Sequence, residues 1–544
     1  MRASQFSPLV VFSAVVACLA GLPVASVGLN LFAGGTSETW SHLAQTVLPE
    51  YIANSLWLCL GVGCGVGLVG VATAWLTAMH EFPGKRFFEW ALVLPLAMPA
   101  YVMAYVYTDL LQFVGPLQTA LRETFGWAHG DYWFPDIRTL PGVMLMFVCV
   151  LYPYVYLLAR AAFIERAGGM LEAARTLGMG PWRAFFAVSL PLARPAIVAG
   201  TALALMETLA DYGTVAYFAV NTFTTGIYRA WFSLGDRVAA AQLAAMLLGF
   251  VLFLLMAERV SRGRARYHNT TGRNRPMAGA RLRGAKALAA TLSCAVPLLL
   301  GFVLPAFLLL RMALTEGDAQ FGERFLMLSR NSFLLAGVTA AIGVLVALFL
   351  AYSARLSRGW LAAGLNRLVG LGYAVPGAVI AVGVLIPVTR LDNWLAGQWE
   401  HWFGINPGLL LTGGIAALIY AYLVRFLAVA LHTVESSLAK ITPSMDDAAR
   451  SLGLDQGRIL RRVHAPMLRA SLLTAGLLVF VDVMKELPAT LVMRPFNFDT
   501  LATQAYTLAS DERLAEASTA SLAIVAVGLL PPIALARQIF RPRK

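Results

Sequence analysis

Twelve stretches of roughly twenty predominantly apolar residues follow one another along this 544-residue chain, and no other feature restricts its fold as strongly. In the first half they lie at roughly 9–32, 53–79, 88–112, 140–164, 195–220 and 238–258. In the second half they lie at roughly 287–312, 331–353, 366–388, 407–430, 470–493 and 517–537. About twenty apolar residues is the length at which an α-helix crosses the hydrocarbon of a bilayer. The expected fold class is an all-α polytopic membrane protein, with stretches three, five and nine interrupted by Pro or by charge. Composition excludes the other classes. Only 13% of residues are Asp, Glu, Lys or Arg and 59% are hydrophobic, whereas soluble domains carry about 25% charge. Disordered chains are polar and charge-rich. The five cysteines all lie inside apolar runs, where they read as small hydrophobes and not as a disulfide framework.

The net charge of +13 would suggest nucleic acid in a soluble chain. In a membrane protein it reflects basic residues collecting on the cytoplasmic side, so no nucleic-acid partner is expected. The basic loops alternate with mixed or acidic ones. Lys85/Arg86, Arg160 to Arg194, Arg355/Arg358/Arg367, Arg425 to Arg469 and Arg537 to Lys544 fall on one side, and Glu123/Asp131, Glu316/Asp318 and Asp511/Glu512 on the other. Residues 259–286 hold nine Arg or Lys and no acid, and read as a cytoplasmic linker. Both termini are then cytoplasmic. The first apolar run is longer than the 7–15 residues of a signal-peptide core, so an uncleaved first helix is expected.

The chain also repeats itself. EAARTLGMGPWRAFFAVSLPLARPAI, starting at Glu172, aligns with DAARSLGLDQGRILRRVHAPMLRASL, starting at Asp447, at a constant offset of 275. Ala173, Ala174, Gly178 and Pro191 thereby match Ala448, Ala449, Gly453 and Pro466. At an offset of 277, Asn54-Ser55 matches Asn331-Ser332 and Pro99 matches Pro376. Two parallel six-helix repeats are expected, 1–258 and 287–544, joined by the 259–286 linker. Each copy of the loop suits a short helix ended by Gly178 or Gly453, because glycine adopts the left-handed cap conformation. A second helix follows, broken by Pro191 before the membrane. The paired alanines offer a flat face that another protein could approach closely.

The residues Glu172-Ala173-Ala174, Gly178 and Leu190-Pro191 resemble the EAA loop of binding-protein-dependent ABC importer permeases, here in a fused two-half form. The resemblance implies that the loop is a coupling helix seated on an ATPase subunit, that two ATPase copies and a periplasmic binding protein are partners, and that the chain is multi-pass in a bacterial inner membrane. The second copy has Asp447 in place of Glu and Ala465 before Pro466. Three further stretches resemble the ferric iron permeases: Glu207 to Thr214, Phe223 to Asp236, and Lys485 to Thr490 with Arg494 to Thr500. Ferric iron delivered by a binding protein is the substrate this implies. Thiamine or another small solute on the same machinery is the alternative, and an ATP-independent secondary transporter is a further one.

Four acids bear on the path. Glu207 and Asp211 share a helix face, and Asp482 and Glu486 take the same places at the 275 offset. Intramembrane carboxylates usually line a pathway or face a partner, and oxygen donors suit a hard cation. Structural ion pairing, with Lys485 neutralising one acid and arginines the others, is the competing reading. No resident metal site or cofactor is expected. The seven histidines form no ligand cluster, no Gly-x-Ser-x-Gly elbow occurs, and Gly84-Lys85-Arg86 lacks the hydroxyl of a phosphate-binding loop. The chain therefore reads as a transport subunit, not an enzyme, whose ATP is hydrolysed elsewhere.

Overall fold

The apolar runs are helices in the computed structural model, which describes residues 8–34, 37–128, 130–167, 170, 174, 176–262, 280–315, 322–357 and 360–534. Eleven helices among the described residues are long and apolar enough to cross a membrane. A bent pair, Lys85–Ala97 followed by Ala100–Phe125 at 91°, makes a twelfth when taken as one span. The fold is all-α. The two-residue parallel pairing of His80–Glu81 with Ala280–Arg281 is the one sheet among the described residues. Most of the basic linker, residues 263–279, lies outside the described residues.

Prolines set the interruptions. The third apolar stretch is not one helix over 88–112. A 3-10 turn at Leu94–Ala97 leads to extended Met98, and Pro99 then heads the helix Ala100–Leu111. The residue before a proline is driven out of the α region, and proline has no N–H to lose at a helix start. Its counterpart has the same construction 277 residues later: a 3-10 turn at Leu371–Ala374, extended Val375, and Pro376 heading Gly377–Phe403. The tenth stretch begins at Ala416, later than the expected 407. Asp392, fully buried, accepts the backbone N–H groups of Leu410, Leu411 and Thr412 and the Thr412 hydroxyl, which holds that segment out of the helix.

Two compact units are present, and each draws on both sequence halves. The first gathers Met1–Thr39, Ile227–Leu248 and Phe321–Gln504. Its centre is the Ala416–Leu438 helix, packed by Glu323–Ser357 and Ala465–Met484, with Tyr422 and Leu431 sealed inside. Pro8–Asn30 lies on Gly377–Phe403 in the same unit, so closely that a Cβ on Gly383 would stand 2.4 Å from the Pro23 carbonyl oxygen.

The second unit gathers Trp40–Gly226, Gly249–Gln320 and Ala505–Lys544. Leu140–Ala162 is its central helix, between Leu48–Met79 and Leu190–Ala210, with Tyr152, Tyr156 and Phe147 buried. Leu304–Thr315 packs on Leu514–Gly528 and Ala100–Leu111, and Tyr107 donates to the Leu300 carbonyl at 2.7 Å. Small residues let these helices meet, since lipid gives apolar side chains no incentive to leave it and close packing must supply the attraction. A Cβ on Gly200 would meet Val155 Cα at 2.7 Å, whereas one on Gly67 would meet nothing within 4 Å.

Gly200→Leu should therefore destabilise the protein by about 1–3 kcal/mol through overpacking. Gly67→Leu should leave it unchanged. Thermal unfolding of the two variants in detergent measures the difference.

Candidate functional site

The two repeated loops close with the same chain geometry. In the second, Pro443–Ser451 is helical, with Pro443 in its first turn, where its missing N–H costs nothing. Gly453 follows at φ +76, its N–H bonding to the Arg450 carbonyl and the Leu454 N–H to the Ala449 carbonyl at 2.9 and 3.2 Å. This doubly bonded left-handed ending satisfies carbonyls that the last helical turn leaves open. In the first loop, Gly178 lies at φ +80 and the Met179 N–H bonds to the Ala174 carbonyl at 3.0 Å. Glu172 and Ala173 lie outside the described residues.

In the second loop the two alanines are not one flat face. Ala174 and Ala449 are buried, each 5% exposed, while Ala448 and Asp447 face outward, with Asp447 paired to Arg450 at 3.2 Å. The surface the loops present is instead tipped by a leucine: Leu177 is 83% and Leu452 81% exposed. Sequence reasoning passed these over, although Leu stands before Gly in both copies. An exposed leucine at matched points of two loops is the signature that would have found them.

Beyond each loop the expected break at proline does not occur. Pro181–Ala184 runs through a wide π-turn at Phe185–Ser189 into Leu190–Ala210, and Gln456–Ile459 runs through Leu460–His464 into Ala465–Met484. Pro191 and Pro466 sit directly after these turns, in the first turn of the following helix segment. The wider turn gives the proline ring room and removes the need for its N–H, so the helix continues.

The four acids are placed at the far ends of these helices. Both helices stop earlier than the expected 220 and 493, at Ala210 and Met484. Asp211 terminates the first. Its carboxylate accepts the Thr214 N–H at 2.8 Å and the Thr214 hydroxyl at 3.1 Å, capping the short helix Gly213–Tyr217. Glu486 does the same in the second copy. It accepts Ala489 N–H at 2.9 Å, Thr490 N–H at 3.0 Å and the Thr490 hydroxyl at 2.6 Å, capping Pro488–Met493. These bonds satisfy donors that a helix start leaves open.

The copies differ in charge balance. Glu486 is 5% exposed and pairs with Arg425 at 3.4 Å, and Tyr422 bonds the same Thr490 hydroxyl at 2.6 Å. A Cβ on Gly377 would lie 2.8 Å from Glu486 Oε1 and 2.9 Å from Arg425, so only glycine fits beside the pair. At the 275 offset the first copy has Val150 in place of Arg425. Asp482 pairs with Lys485 at 3.2 Å, and both side chains remain partly exposed. Glu207 is half-buried on the last turn of its helix. No group of three or more His, Cys, Asp or Glu able to hold a metal occurs among the described residues.

The repeat recurs among known proteins. The family described as binding-protein-dependent transport system inner membrane component matches twice, over residues 68–265 and 341–543, and each match contains one loop and one acid pair. The Fe(3+)-transport system permease protein FbpB 2 of Haemophilus influenzae is 27% identical over 525 residues, covering 96% of both chains. The ferric transport system permease protein FbpB of Actinobacillus pleuropneumoniae is 23% identical over 523 residues, 89% of this chain and 71% of that one. The molybdenum transport system permease protein ModB of Escherichia coli is 31% identical, over 206 residues that cover 36% of this chain and 87% of that one.

The left-handed loop endings make their own prediction. A Cβ on Gly453 would touch nothing within 4 Å, so the cost of a side chain there is purely conformational. Gly453→Val should weaken the ending by about 1–2 kcal/mol, whereas Gly453→Asn should be nearly silent. Amide hydrogen exchange over residues 443–454 should quicken in the first variant and not in the second.

Proposed function

This chain belongs to the binding-protein-dependent transport system inner membrane components, and on that premise we propose that it is the permease subunit of an ATP-driven importer carrying ferric iron into the cell. The carrying observation is length. The relative named for Fe(3+) transport aligns along 96% of both chains, whereas the molybdenum permease, though more similar where it aligns, covers 36% of this one. The molybdenum permease aligns over 87% of its own length and so matches a single half, whereas the Fe(3+)-transport relative shares the full two-half length of this chain.

In this reading residues 1–258 and 287–544 are two permease halves, with the 259–286 linker and both termini in the cytoplasm. The repeated family match and the alternating basic loops support it. The chain carries no phosphate-binding loop and is a transport subunit without catalysis of its own. Two copies of a separate ATPase receive the two loops, Glu172 to Gly178 and Asp447 to Gly453, with Leu177 and Leu452 as apolar contacts and the buried Ala174 and Ala449 holding each loop against its own unit. A periplasmic binding protein delivers the iron. Pro191 and Pro466, just past the π-turns, transmit loop movement along continuous helices. Glu207, Asp211, Asp482 and Glu486 set a negative potential for the cation. Asp211 and Glu486 shape the helix breaks as they do so, and Glu207 and Asp482 present charge with less backbone duty. Carboxylates act strongly in a poorly hydrated site, and conduction requires that the ion leave again.

Proteoliposomes holding the permease, its ATPase and its binding protein should take up radiolabelled ferric iron only with ATP. A co-purifying binding protein that holds thiamine or molybdate and no iron would overturn the substrate. Neutralising Glu207 to Gln and Asp482 to Asn together should lower iron uptake severalfold at unchanged membrane abundance. Loss of the protein from the membrane would instead mark the acids as structural partners of residues such as Lys485.

A further inference from the structure

The two loops are tied to their units by different chemistry. In the second, Asp446 immediately precedes the outward Asp447 and turns inward. Arg355, at the end of the Glu323–Ser357 helix, reaches Asp446 Oδ2 with Nε at 3.1 Å and Nη2 at 2.9 Å. The same guanidinium bonds the carbonyls of Leu438 at 2.9 Å and Ile441 at 3.0 Å, the two residues that lead into the loop. Asp446 Oδ1 meets His464 Nε2 at 2.7 Å, and His464 is 1% exposed in the π-turn that follows the loop. An ionised carboxylate only accepts, so Nε2 carries the hydrogen. Tyr352 completes the cluster. Its ring stands edge-on to His464 at 5.7 Å, and its hydroxyl donates to the Gln456 carbonyl at 3.1 Å.

Arg355 and Asp446 together thus bind the entry to the loop, its first turn and its exit to a single helix end. Burial alone would raise the Asp446 carboxyl, but the hydrogen bonds and charges of Arg355 and His464 hold it below its ordinary 3.8. A depressed native value means that the tie is fully formed at neutral pH and fades only as pH falls through that value. The first loop has none of these groups. At the matching offsets Leu171 replaces Asp446, Ser189 replaces His464, Ala78 replaces Arg355 and Trp75 replaces Tyr352. Trp75 packs instead on Phe163 and Phe185, at 5.2 and 4.7 Å between ring centroids. Ring packing holds mainly by area, whereas two guanidinium donors converging on one carboxylate oxygen fix angle and distance.

We propose that Asp446, held between Arg355 and His464, is a positioning residue that latches the second coupling loop to the Glu323–Ser357 helix, so that the two loops transmit ATPase movement unequally and the second does so as a rigid link. This rests on the docking reading above, since a latch matters to transport only if the loop bears on the ATPase.

Asp446→Asn keeps the size of the side chain and removes its charge. In reconstituted complexes it should lower iron uptake per ATP hydrolysed on the order of tenfold, the loss expected when a charged hydrogen-bonded contact goes. Amide exchange over residues 443–453 should quicken, while exchange over 176–180 stays as in the parent. Asp446→Glu, which restores the charge, should recover most of the coupling. A photo-cross-linker in place of Leu452 reports docking and should still capture the ATPase in the Asp446→Asn background. Unchanged uptake per ATP in Asp446→Asn at normal abundance would overturn the latch. So would loss of both Asp446 variants from the membrane, which would make the cluster a requirement of folding alone. Failure of the parent chain to cross-link at Leu452 would overturn the docking reading itself, an outcome separate from either of these.

Discussion

Hydrocarbon offers nothing to an unpaired peptide group, and this structure is arranged around that deficit. At three helix ends or breaks among the described residues a side chain of the same chain stands in for water. Asp211 and Glu486 do so at the ends of the fifth span of each half, collecting the N–H groups of the turn that follows. Asp392 does so for the segment after Gly377–Phe403, drawing three successive N–H groups and a hydroxyl onto one buried carboxylate. The prolines at 99 and 376 serve the same end differently, by starting helices with a residue that has no N–H to satisfy. Asp211, Glu486 and Asp392 are therefore first backbone caps. Any part that Asp211 and Glu486 have in attracting a cation uses groups that the fold already required.

That double duty explains what could be read from the sequence. The twelve apolar runs, the 275- and 277-residue offsets and the glycines at 178 and 453 are local or periodic signals, and the helices, the paired 3-10 turns and the positive φ angles follow them closely. The ends of the helices were less legible. Asp211 and Glu486 look like charges on a helix face in sequence, because spacing cannot tell a residue within a helix from one that ends it. Pro191 and Pro466 look like breaks, because a π-turn leaves no trace in composition. Arg355, Asp446 and His464 were invisible for another reason. They come from three segments spread over more than a hundred residues, and nothing local distinguishes inward Asp446 from outward Asp447.

The comparison of the two copies adds something neither shows alone. Backbone geometry is repeated with little change: the glycine endings, the π-turns and the capped breaks all recur at the same separation. Side-chain chemistry is not. Arg425 stands beside Glu486 where the first copy has Val150, and the Arg355–Asp446–His464 cluster answers to an aromatic one around Trp75. The two copies share what a membrane helix needs to bend and stop, and they differ in the side-chain contacts around each bend.

The close seat of Pro23 against Gly383 has a consequence for biosynthesis. The two residues are 360 positions apart in the chain, and at ~5–20 residues per second a ribosome needs about 20–70 s to pass from one to the other. Throughout that interval the Pro8–Asn30 helix resides in the bilayer without the surface it will finally cover. Its most apolar 18 residues have a mean hydropathy of 2.3, which makes the wait tolerable, since lipid solvates its unpartnered side until the second half is translated and inserted.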